Sequence, residues 1–181
     1  MLWVVPKEMN LNAFVYNCNM FVSNTSTLIL LAKIGMLGQF IENFGKIEIT
    51  AEVNKEFSAK NSFDSKIICG LIEEKKITIK HAAKGKVFGV LREFSLDEGE
   101  ATAFALFDEK KHKAILTDDY ELIKLCSLEQ VPFLSAMAII VRMKEKKMLS
   151  KEEALQKISE LNSFGRYSKE LFDFYISEVE K

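Results

Sequence analysis

The chain has 181 residues, of which 48 % are hydrophobic and 28 % charged, and its formal net charge is −1. This length and composition are typical of one globular domain with a sizeable core. The near-neutral charge excludes a nucleic-acid coat protein with a basic surface. It does not exclude a protein that holds a single phosphate through a metal ion.

The cysteines and the apolar segments give no sign of secretion or of a membrane span. Cys18, Cys69 and Cys126 are odd in number and widely spaced, which favours reduced thiols in a cytoplasmic protein over disulfides or a zinc site. The N-terminus lacks a signal-peptide pattern, and the longest apolar stretch, 131–143, is too short to cross a bilayer. We expect a cytoplasmic protein without membrane contact. Residues 1–19 are predicted to be an N-terminal extension, with an added edge strand or hairpin as the alternative.

Short apolar strands alternate with amphipathic helices along the rest of the chain. The predicted strands are residues 20–24, 46–50, 77–80, 114–117 and 131–134. The predicted helices are residues 27–34, 37–44, 50–60, 64–74, 95–110, 119–128, 135–146, 150–161 and 168–180. Ser95 with Glu98, and Ser150 with Glu153, have the spacing of capping boxes. The alternation predicts an α/β fold in three layers, α/β/α, with a central, mainly parallel sheet and extra C-terminal helices.

Polar side chains fall at the ends of several predicted strands or in the helices that follow. They are Asn24, Glu56, Glu100, Asp118 and Asp119. In a parallel sheet such positions converge at one edge. Oxygen ligands gathered there suit Mg²⁺ or Mn²⁺. An ion of this kind can bridge a phosphate and activate a bound water.

Each of these residues also has a purely structural explanation. Either aspartate is a good helix N-cap, and Glu100 suits the N-terminal turn of a helix. Glu56 can pair with Lys60 four residues later, and Asn24 can cap a turn. The order of the five on an alternating chain favours a shared site. His112 lies among lysines and is predicted to be solvated.

Four ordered segments resemble the motifs of the PIN-domain family, the nuclease-like domain of VapC-type toxins and RNA-processing proteins. Residues 22–29, V-S-N-T-S-T-L-I, look like the family's opening strand, V-x-D-T-S-x-L-I. Residues 53–57, V-N-K-E-F, resemble V-x-x-E-L, which gives the second acid. Residues 96–101, L-D-E-G-E-A, resemble L-x-x-G-E/D-A, which gives the third. Residues 116–119, L-T-D-D, look like the closing strand, where the last Asp is the fourth acid.

The resemblance implies a domain organisation and a set of partners. It makes residues 20–148 the PIN-like domain and residues 149–181 a C-terminal helical extension. It implies RNA as the substrate and a homodimer as the expected assembly. A toxin role would imply an antitoxin protein as partner. Candidate lysines for contact with RNA, each of which also reads as an ordinary solvated lysine, are Lys33, Lys84, Lys86, Lys144, Lys146 and Lys147.

The activity that the resemblance implies is hydrolysis of RNA by a Mg²⁺- or Mn²⁺-dependent endoribonuclease. Glu56, Glu100 and Asp119 would hold the ions, with Asn24 and Asp118 assisting. Asn24 departs from the family pattern, because its neutral amide replaces the first carboxylate. That departure leaves open a degenerate PIN domain that binds RNA or protein without cutting. It argues more strongly against a receiver-like or phosphatase-like domain, which needs an acid at this position.

Overall fold

The computed structural model describes residues 19–85, 87, 89 and 94–181. Cys18, Lys86 and the extension or hairpin predicted before residue 19 lie outside the described residues.

Strands and helices alternate through most of the described chain. The strands are β1 (Met20–Ser23), β2 (Lys46–Thr50), β3 (Ile77–Lys80), β4 (Ile115–Leu116) and β5 (Phe133–Leu134). The helices with described bounds are α1 (Thr25–Lys33), α2 (Leu37–Phe44), α3 (Ala51–Ser58), α4 (Phe63–Glu73), α5 (Glu98–Leu106), α6 (Tyr120–Leu128), α7 (Ala136–Glu145), α8 (Lys151–Phe164) and α9 (Lys169–Glu180). Every predicted element is present with the predicted type, so the sequence periodicity located the elements correctly.

The strands form one sheet in the order β3-β2-β1-β4-β5, and every pairing is parallel. Phe21 pairs with Ile47 on one side of β1, and Val22 pairs with Ile115 on the other. Helices cover both faces of the sheet and bury its apolar core, which consists of Phe21, Val22, the two isoleucines of β2 and both residues of β4. The predicted three-layer α/β/α architecture is confirmed.

Since all strands are parallel, their carboxyl ends lie along one edge of the sheet. The chain moves outward from β1 to β2 and β3, then returns to the opposite side of β1 for β4 and β5. The reversal places a topological switch point between β1 and β4, where open α/β sheets form their sites.

One of the two predicted capping boxes was wrong. Helix α5 begins at Glu98 with Asp97 as its N-cap, and its capping box joins Asp97 to Glu100 rather than Ser95 to Glu98. The box predicted at Ser150 is confirmed.

His112 is also placed differently from the prediction, because it is 4 % exposed rather than solvated. Its Nε2 lies 3.0 Å from Oε2 of Glu48, and its Nδ1 accepts a hydrogen bond from the backbone N–H of Asp108. The lysines around it in the sequence are no guide to its burial, since its partner Glu48 is on a strand 64 residues away.

The C-terminal helices pack on the rest of the domain. Helix α8 contacts α7 and α1, and α9 contacts α7 and α8. The boundary at residue 149 remains a prediction. In the described part of the chain no single helix is long and apolar enough to cross a membrane. Helices α1 and α2, which meet at a bend of 111°, reach the length and apolar composition of a membrane span only when taken together.

The described cysteines are free thiols, as predicted. Cys126 is buried, and burial raises the pKa of its thiol to about 12. It is therefore a packing residue and not a reactive one.

Candidate active site

Asn24 follows β1 at the switch point, and both polar atoms of its amide are hydrogen-bonded to neighbouring side chains. The residue is 3 % exposed. Its Oδ1 accepts from the Ser26 hydroxyl at 2.8 Å, and its Nδ2 donates to Oγ1 of Thr117 at 3.1 Å. Thr117 follows β4, so the Asn24 side chain joins the ends of the two strands that flank the switch point.

Glu56 reaches the same edge from α3. Its Oε2 accepts a hydrogen bond from the hydroxyl of Thr25, the residue after Asn24. Its Oε1 lies over Gly99, where an added β-carbon would come closer than the 3.0 Å that such atoms essentially never go below. Gly99 therefore lets the N-terminus of α5 approach the Glu56 carboxylate.

Glu100 and Asp119 form a pair of interacting carboxyl groups. Burial raises the pKa of Glu100 to about 7, and the charge of Asp119 and a hydrogen bond with it act in the same direction. The backbone N–H of Asp97, 3.0 Å from Oε2 of Glu100, opposes the rise. A hydrogen bond between two carboxyl groups requires a proton on one of them, and a cation can take the place of that proton.

Asp119 also acts as a helix N-cap, a structural role that the sequence allowed for either aspartate. It is the N-cap of α6, and its Oδ1 accepts from the backbone N–H of Leu122 at 2.9 Å. The N-cap uses one oxygen, so this role and the contact with Glu100 coexist.

Asp118 directs its carboxylate toward protein donors. Its oxygens accept from the hydroxyls of Thr27 and Tyr167, each at 2.7 Å, and from the backbone N–H of Ala136 at 3.0 and 3.2 Å. Surrounding atoms desolvate the group, which raises the pKa of Asp118, while these three donors oppose the rise. The N–H of Ala136 is at the start of α7, where the helix dipole also favours a negative charge.

The five residues predicted from the sequence lie at the same edge of the sheet, but their contacts there differ. Glu100 and Asp119 interact electrostatically, Glu56 lies against Gly99, and Asn24 and Asp118 are held by neighbouring protein groups. Within the described ranges, no three His, Cys, Asp or Glu side chains are arranged so that they could hold one metal ion.

The donor chemistry nevertheless fits a hard divalent cation. Carboxylate oxygens are what Mg²⁺ and Mn²⁺ prefer. Glu56 is exposed, so its side chain has room to change rotamer.

Two residues with clear roles at this edge were missed by the sequence reading. Thr25 holds Glu56, and Tyr167 holds Asp118. Thr25 is adjacent to Asn24 and so was within reach of a strand-end argument. Tyr167 is 49 residues from Asp118, and no local pattern indicates the contact.

Two of the lysines predicted to face RNA lie against aromatic rings. The Nζ of Lys33 is 5.4 Å from the centre of the Phe164 ring, and that of Lys146 is 4.8 Å from the centre of the Phe44 ring. Their contact with RNA remains a prediction.

A three-layer α/β/α domain with acidic side chains gathered at its switch point is the class that the fold and site define. A family model described as "DUF3368: PIN domain" matches residues 20–181. The chain belongs to this PIN-domain family, whose members are generally nucleases. None of the curated proteins compared with the chain matches it.

Proposed function

We propose that this PIN-domain protein is a Mg²⁺- or Mn²⁺-dependent ribonuclease that hydrolyses phosphodiester bonds in RNA. The observation that carries the proposal is the Glu100–Asp119 carboxyl pair at the switch point, with Glu56 beside it. Such a pair is costly without a proton or a cation between its members. A divalent ion bound between the two carboxylates would offset their repulsion.

Glu56, Glu100 and Asp119 are the residues that would hold the ion, with the Oδ1 of Asn24 as a neutral fourth oxygen. A bound Mg²⁺ or Mn²⁺ would lower the pKa of a water ligand and neutralise charge on the phosphate. Thr25 orients Glu56, and the N-cap bond to Leu122 orients Asp119. Asp118 holds the end of β4 against α7 and is not free to face a ligand.

A matched pair of variants in α5 tests the activity. Glu100→Gln removes one charge from the site, and Glu98→Gln makes the same change at an exposed position two residues earlier. Cleavage of single-stranded and structured RNA is measured over a range of Mn²⁺ concentrations. We expect the wild type and Glu98→Gln to cleave and Glu100→Gln to lose at least about 100-fold in rate. No metal-stimulated cleavage by the wild type would contradict the proposal.

The second candidate is a PIN domain that binds RNA or a protein without cutting. The observation that favours it is the engagement of both polar atoms of Asn24, where a nuclease of this family would place a carboxylate. It predicts that Glu100→Gln leaves RNA binding intact. Recovery of cleavage in Asn24→Asp would instead show a nuclease weakened by this one substitution.

A toxin role, a homodimer and an antitoxin partner extend the same proposal. A short open reading frame beside the gene would support a toxin–antitoxin pair. Co-expression of its product should then suppress cleavage by the wild-type protein. Sedimentation of the purified chain tests the homodimer.

A further inference from the structure

Tyr167 connects the C-terminal helices to the acidic edge of the sheet. The residue lies in the turn between α8 and α9, and its hydroxyl donates to Oδ1 of Asp118 at 2.7 Å. Burial and the nearby Asp118 charge both raise the pKa of Tyr167. The hydroxyl therefore stays protonated and remains a donor.

A glycine in the same turn makes room for the Tyr167 ring. A β-carbon on Gly165 would approach Cε2 and Cδ2 of the ring more closely than 3.0 Å. The ring folds back over Gly165 and points its hydroxyl at Asp118. The turn therefore sets the position of the Tyr167 hydroxyl.

Asp118 is in turn linked to the ends of both central strands. Its backbone N–H donates to the Ser26 hydroxyl oxygen at 3.2 Å, and that hydroxyl donates to Oδ1 of Asn24 at 2.8 Å. Asn24 donates to Thr117, which also accepts from the backbone N–H of Asp119 at 3.1 Å. An unbroken series of hydrogen bonds thus runs from Asp118 to the residue that faces Glu100.

We infer that Tyr167 is a positioning residue for the acidic site. It fixes Asp118 and, through Ser26 and Thr117, sets the orientation of Asn24 and Asp119. The inference rests on the proposed function, because the oxygens that it positions are those of the proposed metal site. Outer groups of this kind orient metal ligands, and their removal weakens metal binding about 10- to 100-fold.

Tyr167→Phe tests the inference, since it removes only the hydroxyl. Ser168→Ala is the matched control in the same turn, because it removes the hydroxyl that caps α9 without touching Asp118. Two properties are measured on the full chain. One is Mn²⁺ affinity by calorimetry, and the other is the set of NMR signals from the Asn24 side-chain amide and the Asp119 backbone N–H.

Gly165→Ala is a second test that keeps the hydroxyl in the chain but displaces the ring. Its control is Gly70→Ala in α4, where an added β-carbon meets nothing within 4 Å. This pair keeps the inference testable if Tyr167→Phe folds poorly.

We expect Tyr167→Phe and Gly165→Ala to shift the Asn24 and Asp119 signals and to weaken Mn²⁺ binding about tenfold. Both controls should leave these properties unchanged. Unchanged signals and affinity in the two test variants would overturn the inference while leaving the proposed function intact. If the wild type binds no Mn²⁺, the proposed function fails. Signals that still move only in the test variants would then support positioning by Tyr167, and unmoved signals would overturn it.

Discussion

The Oε1 atom of Glu56 lies where a β-carbon on Gly99 would have to be. The contact joins α3 to the N-terminus of α5, two helices that are distant in sequence and packed together in the fold. It explains why glycine directly precedes the acidic residue Glu100. A side chain at this position would push Glu56 away from the site.

Gly99→Ala should therefore impair the site through sterics alone. We expect Mn²⁺ affinity to fall about tenfold, because Glu56 must move. Gly38→Ala is the control, since a β-carbon there meets nothing within 4 Å. Calorimetric titration of both variants makes the comparison, and equal affinities would show that metal binding does not need the Glu56 carboxylate at its observed position.

Asn24→Asp should make the protein more dependent on metal. The new carboxylate would be buried beside other acids, which costs about 1–3 kcal/mol of stability without an ion. Mn²⁺ should raise the stability of Asn24→Asp above its metal-free value by more than this loss. It should also bind the variant at least about tenfold more tightly than it binds the wild type. Asn43→Asp adds the same charge at an exposed position of α2 and should do neither. Thermal melts with and without Mn²⁺ measure the difference.

The raised pKa of Glu100 gives a pH prediction with a definite sign. The pKa of Glu100 is about 7 in the folded state, whereas the ordinary pKa of a glutamate is 4.5, so the folded state holds the proton more tightly than the unfolded state. The contribution of Glu100 to stability is therefore full below the unfolded pKa and is lost as pH rises through about 7. The side chain of Glu100→Gln cannot ionise, so the variant does not lose this stability as the pH rises.

The difference in free energy of unfolding between Glu100→Gln and the wild type should consequently grow in favour of the variant between about pH 5 and pH 8. Urea unfolding across this range measures it. The same protonation competes with metal, so Mn²⁺ affinity of the wild type should rise with pH over the same interval. A flat difference would show that Glu100 is ionised throughout.

His112→Ala should destabilise the fold without affecting the acidic edge. It leaves the Glu48 carboxylate without its 3.0 Å partner and the Asp108 N–H without an acceptor. We expect a loss of about 2–3 kcal/mol in urea unfolding, with Mn²⁺ affinity unchanged. His81→Ala, at an exposed position, should change stability by less than about 0.5 kcal/mol. A loss of metal binding in His112→Ala would contradict the separation of the two regions.

The sequence predicted what local periodicity controls. The apolar strands and the capping signals locate the elements, and a parallel sheet then brings residues at strand ends together. The start of α5 was misplaced because Ser95–Glu98 and Asp97–Glu100 are overlapping capping boxes of equal spacing. Local propensity does not choose between them.

The missed contacts all join residues far apart in the chain. Glu48 on β2 contacts His112 in the segment before β4, and Tyr167 reaches Asp118 from the C-terminal turn. One sequence contains no signal for such pairs until the topology is known. The same limit applies to Asp118. It is next to Asp119 in the sequence, but its hydrogen-bond partners are different and could not be predicted from that position.

Titration of the purified protein with Mn²⁺ by calorimetry, beside Glu100→Gln and Asn24→Asp, tests the central claim most directly. The claim predicts saturable binding to the wild type, at least about tenfold weaker binding to Glu100→Gln and tighter binding to Asn24→Asp. Absence of saturable binding to the wild type would contradict it, and absence of binding to Asn24→Asp as well would rule out a metal site at this edge.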